Sequence, residues 1–472
     1  MAESSDVEMK YQVGKRVYHL QTEKIFEDET VKLPFVKEEI PFADLSTNDS
    51  SSNVAQRSVK HGRATFDTRV EKQVVFFDTY GNIFTAREWK GNTVPDFKDL
   101  KITGGNLWGL MTLESLGHIN EVSQFMRENG LPTEAIISAH FVKTVYFDGV
   151  EMPIEKAKEK YKVHKKAEIE RESKELDTKV TSFLKKINIA PNEKNLQSDQ
   201  FLNSIEDQVP KNLKDEYEEI TDKAMYLRHD RKMISGGTID TAKIIVVERG
   251  MPIGERLSDL DIAYTTDDYK KILKPIFEKI NFITKVKGNI MPGLEPPKNF
   301  DPNSTESIRY YLNEYLPKQM GAYLGRFHKN GLAHHYTHGS NWNAIGILVD
   351  LDSVTGKVGK MNLGPIKKDD LGFDSKLSYD VLMGTVNAFL QTEKVRPYNP
   401  KDFQKVTELF ISNYCIEFLK DKPDSVDIDD ELMELRVTTL QNISLRNGVL
   451  DNQIWENVKS NVVESRKTKK KP

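Results

Sequence analysis

The sequence predicts an α+β fold in two lobes, a small β-rich N-terminal one and a larger helical C-terminal one, with a charged helical insertion splitting the first. Three observations lead there. Runs rich in Val, Ile, Phe and Tyr fall at 73–89, 136–150 and 242–250. Between the last two lies a stretch of dense, alternating charge. Beyond it, apolar residues recur mainly at helical spacing, over 267–284, 305–328, 376–392, 402–420 and 428–445. A β-rich part followed by a helical part reads as two lobes with a cleft between them. The divisions are a polar extension at 1–70, the first part of the small lobe at 71–150, the insertion at 151–235, the rest of the small lobe at 236–262 and the helical lobe at 263–472.

Composition narrows the class. The 472 residues are 38% hydrophobic and 30% charged, polar for a globular chain yet too apolar for a disordered one. A net charge of −4 gives no reason to expect nucleic acid or a membrane as partner. Cys415 is the single cysteine, so no intrachain disulfide can form, which fits a reducing compartment. The N-terminus "MAESSDVEMK" has no signal pattern, and no run of about 18 apolar residues exists. The expectation is a soluble cytoplasmic protein. The basic tail "ESRKTKKKP" reads as a solvated end.

Along the chain, "STNDSSSN" at 46–53 reads as a flexible link. Runs 73–78 and 83–89 flank Tyr80-Gly81-Asn82 and read as a hairpin whose second strand ends at Lys90. Gly104, Gly105 and Gly109 follow. A helix then carries Leu113, Leu116, Val122, Phe125 and Met126, stopping at Gly130 with Pro132 beyond. In the insertion, "IEKAKEKYKVHKKAEIERESKELDTKV" predicts exposed helices supported by i,i+4 ion pairs.

The chemistry-bearing residues lie in three places. "TESIRYYLNEYLPKQMGAYLGRFHKNG" is a long helix interrupted near Pro317 and ending at Gly331. After the loop "LAHHYTHGSN", "WNAIGILVD" reads as a hairpin turning at Gly346. It brings Asn341 and Asp350 together, an amide oxygen and a carboxylate suited to Mg²⁺ with phosphate and water completing the shell. His328, His334, His335 and His338 invite a zinc reading, but their spacing is irregular and no cysteine accompanies them; loop and core hydrogen bonding is the plainer reading. In "VVERGMPIGERLSD", Arg249 and Arg256 flank a Gly/Pro turn and could fork onto phosphate oxygens, or be surface residues. Lys90 at a strand end is equally open to solvation. Taken in order, strand lysine, glycines, helix, strand, then helix, loop, Asn, hairpin and Asp is the sequence of parts in a protein-kinase-like bilobal fold.

These segments resemble the selenoprotein O group, kinase-fold pseudokinases that transfer AMP from ATP to protein hydroxyls. "WKGNTVP" (89–95) is similar to that family's lysine segment, "GLPTE" (130–134) to its Gly-Ile-Pro-Thr, "RGMPIGER" (249–256) to its paired-arginine segment, and "HKNGLAHHYTHGSNWNAIGILVDLD" to its metal segment. The resemblance covers roughly 75–150 and 236–365. It implies ATP and Mg²⁺ as cofactors, with Lys90, Arg249 and Arg256 on the phosphates and Asn341 and Asp350 on the metal. It further implies AMPylation of Ser, Thr or Tyr on an acceptor protein not identified by the sequence, the chain itself included. The chain departs from the family at Ser340, where the family has Asp, and at Tyr336, where a kinase-type loop has its acid. His338 and Asp352 are then the nearest candidate bases. Counting from Gly130 puts Ile119 where a glutamate should pair with Lys90; Glu121 and Glu114 are the nearest acids. Cys415 lies too far from the end to match the family's C-terminal redox residue. Two alternatives stand beside AMP transfer: a catalytically silent nucleotide-binding module, and a kinase-fold enzyme moving another group.

Overall fold

The computed structural model describes residues 75–91, 111–147, 150–191, 196–261, 269–391, 400–423, 425–441, 443 and 452–468, with 12–13, 17–19, 21–32, 41–44, 54–56, 64–67 and 93–94. The chain is mixed α+β with small antiparallel sheets. Its principal elements are β1 (Thr22–Glu27), β2 (Val54–Gln56), β3 (Ala64–Asp67), β4 (Phe76–Asp78), β5 (Ile83–Phe84), β6 (Ala86–Lys90), α1 (Leu113–Glu128), β7 (Ala135–Val142), α2 (Ile154–Lys186), α3 (Asp199–Ile205), α4 (Lys214–Ser235) and β8 (Ile244–Met251). There follow α5 (Tyr269–Lys287), α6 (Leu316–Lys329), α7 (Lys368–Gln391), α8 (Pro400–Phe418), α9 (Ile428–Thr438) and α10 (Asn452–Thr468).

The main sheet runs β2–β3–β6–β8–β7–β1, each neighbouring pair antiparallel. Strands β6 and β8 lie at its centre and are buried along their whole lengths. Their register sets Glu88 opposite Arg249 and Lys90 opposite Val247. The run 83–89 is therefore not one strand. Ile83–Phe84 turns back on Phe76–Asp78 as expected, but Thr85 breaks away, its N–H donating to Met251 O at 3.0 Å, and Ala86–Lys90 joins the main sheet instead.

The polar extension also contributes. β1 pairs with β7, and β2 and β3 continue the sheet beyond β6. Arg127, at the end of α1, ties this region together, reaching Asp28 at 2.7 Å and Asp78 at 2.8 Å with its own side chain fully buried. The stretch 46–53 read as a link, and Gly104, Gly105 and Gly109, lie outside the described residues.

The insertion is more than a set of solvated helices. Val180, Phe183, Leu184, Leu202, Ile220, Ala224 and Leu227 form a core of their own between α2, α3 and α4. Ion pairs cross between helices as well as running along them: Lys162 to Asp240 at 2.5 Å, Lys165 to Asp230 at 2.8 Å, Lys186 to Glu216 at 2.7 Å. Early residues meet late ones, so α2 and α4 are antiparallel, and the charge that masked the apolar stripe in the sequence joins the two helices.

A single apolar core extends from Ile119 and Val247 through Tyr323, Trp342 and Leu348 to Phe410 and Trp455, continuous between the sheet and the helices. The helical run 305–329 is unbroken, but Tyr311–Tyr315 widens to a π-turn just ahead of Pro317, where the missing N–H would interrupt an α-helical ladder. Next in the chain, Gly321 and Gly325 let α6 approach α8 backbone to backbone; a Cβ at either would collide with the carbonyl of Phe410 or Tyr414. This packing fixes α6, and α6 leads into the loop that carries Asn341.

Candidate functional site

The hairpin after α6 forms as its spacing suggested. Val349 N–H donates to Asn341 O at 2.9 Å, Asn343 N–H to Ile347 O at 3.0 Å, and Gly346 N–H closes the turn on Asn343 O at 3.0 Å. Gly346 has φ +75°, and a Cβ there would lie 2.8 Å from Gln319 Cβ, so both backbone and space call for glycine. Asn341 and Asp350 therefore flank the open end of one short ladder. Asn341 Nδ2 donates to Tyr336 O at 2.8 Å, which directs the amide oxygen the other way. Asp350 adopts a left-handed conformation, φ 69° and ψ 61°, uncommon for a residue with a Cβ and typical of positions where function holds the backbone.

The arginine loop is laid directly onto this hairpin. Leu257 N–H donates to Trp342 O at 2.9 Å, Ala344 N–H to Glu255 O at 2.8 Å and Ser258 N–H to Gly339 O at 3.0 Å. Arg256 is anchored from its own backbone, whose N–H donates to Asp259 Oδ2 at 2.8 Å.

Sheet and hairpin then meet through charge. Lys90 Nζ contacts the Asp350 carboxylate and lies 3.1 Å from Asp352 Oδ2. Arg249 reaches Glu134 at 2.5 Å, Glu88 at 3.0 Å and Asp350 at 3.4 Å. Arg256 comes within 3.4 Å of the same Glu88 oxygen. Lys90 is only 3% exposed, whereas the Asp350 and Asp352 side chains are 23% and 28% exposed. Burial works against the Arg249 charge, but Glu134, Glu88, Asp350 and Asp352 together raise its pKa above the ordinary arginine value. Among the described residues, Lys90, Arg249 and Arg256 thus face Glu88, Glu134, Asp350 and Asp352.

Two of these acids, Glu88 and Glu134, were not singled out from the sequence. A signal was there: "AREWK" puts charges on successive residues of a strand, and charges buried in a sheet need partners. Glu134 follows the "GLPT" turn and opens the apolar strand β7; Thr133 Oγ1 beside it donates to Leu348 O at 2.8 Å, docking the turn on the hairpin.

Glu121 does not take the part expected of it. It is exposed on α1, as is Glu114, and the acids at Lys90 are Asp350 and Asp352. Ile119, where the count fell, is buried in the core. His338 is half-buried, and its carbonyl accepts from Asn341 N–H at 2.8 Å, so it helps shape the turn. Asp352, the other candidate base, sits on the lysine.

The remaining histidines are held in a hydrogen-bonded framework. Asp374 on α7 accepts from His334 N–H at 2.6 Å and His335 N–H at 2.8 Å. His334 Nε2 lies 3.2 Å from Val349 O, His335 Nε2 2.7 Å from Thr355 Oγ1, and His328 Nδ1 2.9 Å from Tyr414 OH. Burial opposes the Asp374 charge, but His328, whose Nε2 lies 3.5 Å away, together with His334 holds its pKa below the usual aspartate value. Cys415 is buried on α8, and burial pushes its thiol pKa up to about 12, away from redox chemistry.

The donor set tests whether Mg²⁺ and a triphosphate fit. Asn341 and Asp350 supply hard oxygens, and among the described residues no group of three or more His, Cys, Asp or Glu is arranged to hold a metal. With two protein oxygens, a Mg²⁺ held here would complete its shell with phosphate and water. Arg249 Nε is a buried donor without a hydrogen-bond acceptor among the described residues, the kind of atom a phosphate oxygen would satisfy.

No known family model matches this chain, and no curated protein does. Among the described residues no helix is long and apolar enough to cross a membrane.

Proposed function

We propose that the chain has a protein-kinase-like bilobal fold and is an ATP- and Mg²⁺-dependent nucleotidyltransferase, moving AMP to a Ser, Thr or Tyr hydroxyl of a protein in the cytoplasm. One observation carries the reading: Lys90 and Arg249, on adjacent central strands, converge on Asp350, which the Asn341 hairpin delivers from 260 residues away. The order of parts supports it too. A lysine strand, a helix, a strand beside the centre and a second central strand precede a helix, loop and Asn–Asp hairpin, in the order of parts of kinases.

Asn341 and Asp350 would hold Mg²⁺, which supplies charge neutralisation on the phosphates when bound. Lys90, Arg249 and Arg256 hold phosphate oxygens as point charge and forks, and their fixed geometry limits reorganisation during transfer. In the transfer the acceptor oxygen bonds to the α-phosphorus, the α–β bridging P–O bond breaks and pyrophosphate leaves. The acceptor proton passes to solvent, since a loose transition state asks little of a base. The cluster around Arg249 keeps the site rigid, which serves positioning.

A second reading, a silent nucleotide-binding module, draws on Ser340, whose hydroxyl donates to Ser258 Oγ at 3.3 Å where the resembling family has an acid. Incubation with ATP labelled at either the α- or the γ-phosphate separates the cases. Label entering protein only from the α position supports AMP transfer; label only from the γ position makes the protein a phosphotransferase; none with any acceptor favours the silent module.

A further inference from the structure

Lys90 is a buried ammonium with two carboxylates on it, and the two face different demands. In the proposed function Asp350 is needed by the metal. When Mg²⁺ draws Asp350 away, the buried ammonium needs a second acid to fix where it sits as it meets a phosphate oxygen, and Asp352 is already on it. The neighbouring helix offers no substitute: Glu114 and Glu121 on α1 are exposed, and Ile119 fills the core.

Resting on that reading, we infer that Asp352 is the positioning residue for Lys90, holding its ammonium toward the phosphates while Asp350 binds metal. The carboxylate is 3.1 Å from Lys90 Nζ. The left-handed backbone at Asp350 begins the short turn Leu351–Ser353, which brings residues two apart in sequence onto the same ammonium. That turn is fastened at both ends. Leu351 N–H donates to Glu134 Oε1 at 3.4 Å, and Ser353 Oγ donates to His334 O at 2.6 Å. Helix α1 packs against it, so the helix that would carry the acid in a kinase here buttresses the turn that carries it instead. Asp352 thereby acts through Lys90 and not as the base for the acceptor.

The test is calorimetric titration of Mg²⁺·ATP into five forms of the 472-residue chain: wild type, Asp352→Asn, Lys90→Met, the double variant, and Asp352→Glu as the conservative control. Each variant's fold is checked by thermal unfolding. The expected result is about tenfold weaker binding in Asp352→Asn, one charged contact's worth, with partial recovery in Asp352→Glu. In the Lys90→Met background, Asp352→Asn should change nothing further, and the Mg²⁺ concentration for half-maximal binding should be the same with and without Asp352. Wild-type binding that Asp352→Asn leaves unchanged overturns the inference alone. So does an Mg²⁺ requirement that rises on Asp352→Asn equally in both backgrounds, which makes the acid a metal ligand. Wild type that binds no Mg²⁺·ATP overturns both the inference and the reading beneath it.

Discussion

Glu134 Oε2 lies 2.5 Å from Arg249 Nη1, and both side chains are withdrawn from solvent. The pair joins the start of one strand to the end of its neighbour and, through Asp350, to the Asn341–Asp350 hairpin. Glu134→Ala removes the nearest acceptor of Arg249 and leaves Glu88 at 3.0 Å and Asp350 at 3.4 Å to compensate the charge. The loss should be about 1–3 kcal/mol, that of an unmade buried hydrogen bond, read as a lower urea midpoint with an unchanged slope. Glu134→Gln, which keeps an acceptor, should lose less.

The hairpin depends on Gly346. Alanine there meets both a positive φ and Gln319 Cβ at 2.8 Å. Strain and crowding together should cost about 2–4 kcal/mol. If the turn positions Asn341 and Asp350, the Gly346→Ala protein that remains folded should also bind Mg²⁺·ATP more weakly than wild type, by calorimetry at a temperature where both are native.

Helix α6 reaches its place through Gly321, against the Phe410 carbonyl. Gly321→Ala forces the two backbones apart, and a loss of about 2 kcal/mol or more is expected. Gly384, where an added methyl would meet no atom of the described residues within 4 Å, is the control. Gly384→Ala should be neutral or slightly stabilising, by up to about 1 kcal/mol, because alanine favours the helix. Thermal unfolding of the two variants measures the contrast.

Asp374 gives the stability an acid limb. Its folded pKa is lowered, so its contribution is present above the unfolded value of about 3.9 and is lost as pH falls through the folded value. Stability measured against pH should fall below about pH 4, and Asp374→Asn should flatten that fall while lowering stability at neutral pH.

The sequence made some of this legible and hid the rest for physical reasons. Asn341, Gly346 and Asp350 could be read because a hairpin is local: spacing and one glycine define it. That Lys90 and Arg249 share that site depends on strands pairing across 159 residues, which no local pattern encodes; the family resemblance brought them forward. Glu88 and Glu134 were missed because acids are ordinarily surface residues, and only their placement in apolar strands marked them. Glu121 and Glu114 are the acids nearest the expected position on α1, but a helix exposes one face, and the register of Ile119, Val122 and Met126 turns Glu121 outward. The short strands β1 to β3 sit among polar residues and carry too few apolar positions to show a period.

Binding of ATP with and without Mg²⁺, compared between wild type, Asn341→Ala and Asp350→Ala, bears most directly on the site. The expected result is at least about tenfold tighter wild-type binding with Mg²⁺ than in chelator, and loss of that metal dependence in both variants. Equal affinity with and without Mg²⁺, or metal dependence that survives both substitutions, would contradict the assignment of this hairpin as the cation site.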